Sequence, residues 1–111
     1  MKKYLLFCLA MAALILPADA QLIGMRSLGY QEMNSLAAAT ALPSVPSGTV
    51  EAFIVCETQN VRWRDDGTSP TASVGMLLVP SQPFPYIGSI PALKLIQTTA
   101  SAACHVTYYG Y

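Results

Sequence analysis

The chain has 111 residues with six basic and six acidic side chains, so its formal net charge is zero at pH 7. This length accommodates one domain with a modest core, to which a crosslink or partner subunits would add stability. Without an excess of basic residues the chain does not attract a phosphate backbone, which argues against nucleic-acid binding.

The first twenty residues have the three-part pattern of a secretory signal peptide. Lys2 and Lys3 give a positive start, residues 4–16 form an apolar run, and the sequence ADA at 18–20 supplies small residues at a cleavage site. The apolar run is shorter than the roughly 20 residues of a membrane-spanning helix. We therefore predict a signal-like helix over residues 1–20, cleavage after Ala20 and export to the periplasm or the medium. The alternative is an uncleaved interfacial or membrane anchor; no membrane partner is expected once the signal is removed.

Residues 21–48 carry competing signals. Alanine and leucine in the sequence EMNSLAAATAL favour a helix locally. Thr40, Pro43 and Pro46 favour an extended arm or a first pair of strands, and the rest of the chain has no 3.6-residue period. We predict an N-terminal arm or first strands over 21–48.

A period of two residues dominates from residue 49 onward. In TVEAFIVCET (49–58) one face is wholly apolar and the other is bordered by Glu51 and Glu57, as in a strand that covers a core. In VRWR (61–64), Val61 and Trp63 face one way and the two arginines the other.

Four further strands are predicted toward the C-terminus, at 72–79, 84–88, 92–98 and 102–111, and Pro85 confines the second of them to a sheet edge. Turn-rich segments separate them at about ten-residue spacing. The sequence thus predicts an all-β fold, a single small antiparallel β-sandwich with its core in residues 49–111. Its strand order, jelly-roll or immunoglobulin-like, stays open.

Cys56 and Cys104 both lie on the apolar face of their predicted strands. If the chain is exported to an oxidising compartment they could form a disulfide, which would close a loop of about 49 residues and stabilise the fold by about 4 kcal/mol. They could equally be two separate buried thiols that pack as small apolar side chains. The sequence leaves both possibilities open.

The sequence Asp65-Asp66-Gly67 is a strong turn signal, because aspartate tolerates and glycine favours a left-handed backbone. A calcium loop would need further oxygen ligands and a closing acid, yet no acidic residue follows Asp66. Adjacent aspartates would also leave opposite sides of a strand, unlike the separated carboxylates of a hydrolase. We predict a structural turn, no metal and no cofactor.

The aromatic residues are the candidate binding groups. Trp63 shares the face of Val61, so we expect it to pack inside, although it could also present its ring to a ligand. Tyr108, Tyr109 and Tyr111 could form a binding patch, or could belong to a terminal strand with one ring buried and one exposed.

No catalytic set is visible in the sequence. His105 is the single histidine, and because it directly follows Cys104 the two side chains should leave opposite faces of a strand. No serine lies in a nucleophile elbow or has the partners of a triad. We therefore predict a surface histidine, no catalytic residues and no enzymatic activity.

Residues 39–110 resemble a group of small proteins encoded in the structural gene clusters of tailed bacteriophages. The likeness rests on an extended entry ending in VPSG, then ETQNVRWRDDGT, PTASVGM, YIGS, ALKLIQ and a closing HVTYY, and SLGYQEMNSL (27–36) extends it upstream. The resemblance implies a β-sandwich accessory or structural component of a virion and carries over no active-site residues.

The expected function is accordingly a non-enzymatic structural or interaction module. It would self-associate, as a homo-oligomer, or dock on virion components, and the virion is the alternative to an exported location. A different expectation is an exported module that binds a carbohydrate or another small ligand through Trp63 or the terminal tyrosines.

Overall fold

A computed structural model describes residues 24–111, so the predicted signal segment lies outside the described residues. This part of the chain forms eight strands and a short 3-10 helix at Ile90–Ala92. The strands are β1 (Arg26–Met33), β2 (Thr40–Ala41), β3 (Glu51–Glu57), β4 (Val61–Arg64), β5 (Met76–Leu78), β6 (Phe84–Tyr86), β7 (Lys94–Gln97) and β8 (Ala103–Gly110).

Within residues 24–111 the strands make two four-stranded sheets, with the orders β1-β8-β3-β6 and β2-β7-β4-β5. Every pairing is antiparallel. The prediction of an all-β antiparallel fold is confirmed. The strand that contains Pro85 is an edge strand, as expected for a residue without a backbone N–H.

The two-residue alternation of the sequence is the burial pattern of the central strands. In β3 and β8 every second residue is buried, and the intervening residues are more exposed. Buried residues of both sheets form a single core cluster, to which Trp63 and Phe84 add partly buried rings. Its fully buried larger members are Leu36, Ile54, Cys56, Val61, Leu93, Leu95, Cys104, Val106 and Tyr108.

The segment predicted as an arm or first strands belongs to both sheets. β1 pairs with β8 along its whole length, with one irregularity between Ser27 and Gly29, and β2 pairs with β7. Met33 and Leu36 are buried in the core. The local helix preference of the alanines is overridden, because residues 34–39 form the irregular connection that carries the chain from β1 in one sheet to β2 in the other.

Cys56 and Cys104 are joined by a disulfide. They are directly opposite each other in β3 and β8, their Cα atoms are 3.9 Å apart, and both side chains are fully buried. The bond therefore crosslinks the two central strands of the first sheet on its core face.

The strand predicted at 72–79 is shorter than expected, because only Met76–Leu78 pair with β4. The Thr71 and Val74 backbones exchange hydrogen bonds, and the Thr71 hydroxyl accepts from the Val74 N–H at 3.0 Å. This local turn uses backbone groups that a longer strand would need. Asp65 to Gly67 consequently open a long connection over residues 65–75 rather than a tight hairpin, although Gly67 has the positive φ, 86°, that favours glycine.

Candidate ligand-binding cleft

A cleft of about 400 Å³ lies where β4 ends and the 65–75 connection returns to β5. Residues 63–66 and 74–76 line it. This volume falls within the roughly 300–1,000 Å³ of small-molecule sites. The cleft therefore has the size for a small ligand, and its walls combine an aromatic ring, aliphatic side chains and three charged residues.

The indole of Trp63 is fixed by two rings from the other sheet. Its centroid lies 4.9 Å from that of Phe84 and 5.8 Å from that of Tyr86, both on β6. These separations are those of favourable aromatic pairs. Trp63 is half-buried, so it packs on the core, as predicted, and also borders the cleft.

Arg64 and Asp66 form a two-point ion pair at the cleft. Arg64 donates from Nε to Oδ1 at 3.0 Å and from Nη2 to Oδ2 at 2.5 Å, and the Thr68 N–H donates to Oδ1 at 3.3 Å. The Arg64 hydrogen bonds hold the pKa of Asp66 below its usual value and raise that of Arg64. Both groups stay charged at neutral pH, and both remain partly exposed, at 28% and 53% of their side-chain surfaces.

Asp65 faces away from its neighbour and contacts the other sheet. The Tyr86 hydroxyl donates to Asp65 Oδ2 at 2.5 Å. Burial, followed by this hydrogen bond and the carboxylate charge, raises the pKa of Tyr86 to about 12, so the phenol remains a neutral donor. Asp65 and Asp66 thus have different partners and do not form a pair of cooperating carboxylates.

Arg62, in β4, anchors the wall of the cleft that is formed by the end of the 65–75 connection. It donates from Nε to the Ala72 carbonyl at 3.2 Å and from Nη1 to the Gly75 carbonyl at 2.9 Å. Gly75 has φ 144°, and an added Cβ would lie 3.2 Å from Arg62 Cβ, Pro70 Cβ and the Trp63 carbonyl oxygen. The wall therefore has a set position that a side chain at residue 75 would disturb.

The terminal tyrosines lie apart from the residues that line this cleft. Tyr108 is buried, with 1% of its surface exposed, and donates its hydroxyl to Gln31 Oε1 at 2.6 Å. Burial raises the pKa of Tyr108, so this ring is part of the core rather than a ligand platform. Tyr109 is half-buried on the opposite face of β8, and Tyr111 is exposed at the end of the chain.

A hydrogen-bonded chain on the outer face of the first sheet was missed by the sequence reasoning. His105 Nδ1 lies 2.6 Å from the Tyr30 hydroxyl, and Nε2 lies 3.0 Å from Glu57 Oε1. If the phenol donates to Nδ1, the Nε2–H donates to the carboxylate. The arrangement links β1, β8 and β3, and finding it requires the strand register, which the sequence does not give. None of its three residues lines the Trp63 cleft.

Within residues 24–111, no cluster of three or more histidine, cysteine, aspartate or glutamate side chains is placed to hold a metal ion. No helix in that range has the length and apolar character to cross a membrane. No match to the chain was found among protein-family models, curated proteins or solved structures. The likeness to bacteriophage structural proteins therefore stays a prediction.

Proposed function

We propose that the chain is a non-enzymatic interaction module, built as a small β-sandwich, that self-associates or docks on a larger assembly such as a virion. The proposal combines the sequence resemblance with one structural observation, the exposed apolar edge at β5. We also propose that the two sheets form a β-sandwich with a jelly-roll or immunoglobulin-like strand order.

Strand β5 is the apolar edge of the second sheet. It pairs with β4 on one side, and no other strand of residues 24–111 pairs with its outer side. On the face of β5 away from the core, Leu77 exposes 48% of its surface, and Val79 just after the strand exposes 39%. Unprotected apolar edge strands are the surfaces on which other chains add a strand.

The other three edges are less suited to pairing. Strand β6 contains Pro85, which has no backbone N–H to donate, and β2 has two residues. Strand β1 is long, but it carries the exposed charges of Arg26 and Glu32 and a register irregularity after Ser27, which are features that disfavour pairing with another chain. We therefore place the main contact surface at β5.

Substitution of Leu77 by lysine tests the proposal. Leu77 pairs in register with Arg62, on the face opposite to the buried Leu78. A longer side chain at residue 77 therefore does not enter the core. An added charge should repel a partner strand, and sedimentation velocity should show a loss of oligomers, or of binding to capsid or tail proteins. Val45→Lys, an apolar-to-lysine change at a loop residue 37% exposed, is the matched control.

Strictly monomeric wild-type protein that binds neither capsid nor tail components would refute the proposal. So would equal association of the Leu77→Lys and Val45→Lys variants. A second candidate function, an exported module for a carbohydrate or other small ligand, is favoured by the cleft beside Trp63.

A further inference from the structure

We infer that the Trp63 cleft is a binding site for a neutral saccharide. The inference rests on the second candidate function and is independent of self-association. Four features of the cleft support it: the pattern of hydrogen-bonding groups, the apolar surface, the sign of the charge, and the fixed position of its walls.

The Arg64–Asp66 pair offers a donor beside an acceptor. Its two-point contact uses the Nε–H and one Nη2–H of Arg64, so the Nη1 group and the second Nη2–H lie outside the pair. The Asp66 carboxylate oxygens can each accept more than one hydrogen bond. Two hydroxyls on neighbouring carbons of a sugar match this arrangement, because one can accept from the guanidinium while the other donates to the carboxylate.

The apolar part of the cleft suits the C–H face of a sugar ring. Trp63 supplies an aromatic surface, and Val74 and Met76, exposed by 53% and 60%, supply aliphatic walls. Polarised C–H groups are attracted to the negative face of an aromatic ring. A pyranose presents this face and its equatorial hydroxyls at the same time, which an apolar molecule or a simple ion does not.

The charge of the cleft argues against an anion. Asp65 and Asp66 against Arg64 leave an excess of one negative charge among the lining residues. A carboxylate or phosphate ligand would be repelled by this excess. A cation would be repelled by the guanidinium of Arg64 at the same rim. It would also have to compete for the two carboxylates, because Asp65 already accepts from Tyr86 and Asp66 from Arg64. A neutral polyhydroxyl ligand avoids both costs.

The site is also fixed before a ligand arrives. Phe84 and Tyr86 hold the Trp63 ring, Thr68 and Arg64 hold Asp66, and Arg62 holds the opposite wall through two carbonyls. A preformed site loses less conformational entropy on binding than a mobile one. The cleft thus has the rigidity that recognition of a weakly binding neutral sugar requires.

The single tryptophan of the chain makes the test direct, because intrinsic fluorescence then reports on Trp63 alone. Protein purified after expression of the full chain is titrated with neutral trisaccharides of glucose, galactose, mannose, xylose and N-acetylglucosamine. Glucuronic acid and choline are the anionic and cationic probes. We expect at least one neutral trisaccharide to give a saturable change, and neither ion to do so.

Arg64→Gln should weaken that binding at least tenfold, because it removes a hydrogen bond from a charged donor. Tyr111→Ala, which removes an exposed aromatic ring outside the cleft, is the matched control and should bind as wild type does. Circular dichroism melting of the Arg64→Gln variant checks that its fold is retained.

Three results would overturn the inference: no saturable response to any neutral sugar, a stronger response to glucuronic acid or choline, or unchanged affinity in Arg64→Gln. Its failure is distinguishable from failure of the self-association proposal. Leu77→Lys should leave the sugar titration unchanged, and Arg64→Gln should leave the sedimentation behaviour unchanged.

Discussion

Reduction of the Cys56–Cys104 disulfide should cost a large part of the stability of this fold. The bond joins residues 48 positions apart in sequence. In the chain-entropy model, a crosslink that closes a loop of about this length lowers the conformational entropy of the unfolded state. This stabilises the folded state by about 4 kcal/mol at 25 °C. Small domains are stable by about 5–15 kcal/mol in total. The reduced protein should therefore melt about 15–30 °C below the oxidised protein.

Guanidinium unfolding of oxidised and reduced protein provides the measurement. Both cysteines are fully buried, so the protein is first unfolded with a reductant and then refolded with the reductant retained. The Cys56→Ala/Cys104→Ala variant is the control, because it lacks the crosslink under both conditions and has also lost the two sulfur atoms. Its difference from the reduced wild type isolates the packing contribution.

A difference below about 1 kcal/mol between oxidised and reduced wild type would refute this reasoning. It would show that β3 and β8 are already restrained in the unfolded chain, or that the native pairing is strained by the bond. The intact mass of the isolated protein gives an independent check, since the bonded form lacks two hydrogens.

Two further predictions concern particular contacts. Gly110→Ala should destabilise the protein by about 2–3 kcal/mol in urea unfolding, since an added Cβ would overlap the Gly48 carbonyl oxygen and lie 2.7 Å from Leu28 Cδ1. Gly24→Ala, with nothing within 4 Å, is its control, and equal stability of the two variants would contradict the prediction. Tyr86→Phe should lower the free energy of unfolding by about 1–2 kcal/mol at neutral pH, because it removes the hydrogen bond to Asp65. Because the folded-state pKa of Tyr86 is raised from 10.0 to about 12, its contribution is present below pH 10 and is lost as the pH rises to about 12. Urea unfolding across this range should therefore show the two proteins converging, whereas a constant offset would argue against it.

Much of the fold could be predicted because alternation determines which face of a strand is buried. Ala52, Ile54 and Cys56 are buried in β3 as their spacing requires. Pro85 marks an edge strand for the simple reason that it cannot donate to a ladder. These are local properties, and each can be evaluated from a few neighbouring residues.

The pairing of strands could not be predicted in the same way. β8 lies between β1 and β3, and its partners in both strands lie 46 to 84 positions earlier in the chain. The contact of His105 with Tyr30 and Glu57 exists only in this register. Likewise, Trp63 meets Phe84 and Tyr86 because two sheets close on each other, which no spacing within 61–64 indicates.

Part of the candidate site is a loop that the strand propensities of its residues wrongly predicted to be a strand. The valine and leucine residues of 72–79 favour a strand, but the Thr71–Val74 turn and the φ of Gly75 delay its start to Met76. The unpaired part of that segment then forms a wall of the cleft opposite Trp63. A uniform strand over 72–79 would have paired with β4 and left less room for the cleft.

The two proposed surfaces meet at Met76 and Leu77, and strand geometry separates them. Adjacent residues of a strand point to opposite faces, so Met76 lies beside Trp63 in the cleft while Leu77 lies beside Arg62 on the outer face. Leaving both exposed carries a risk of aggregation for an isolated domain, and β5 contains no proline or charge to reduce it. A partner at this edge would cover Leu77, and a ligand in the cleft would cover Met76. Two binding surfaces on opposite faces, if both proposals hold, would account for both exposed residues, and changing either residue alone tests one surface without removing the other.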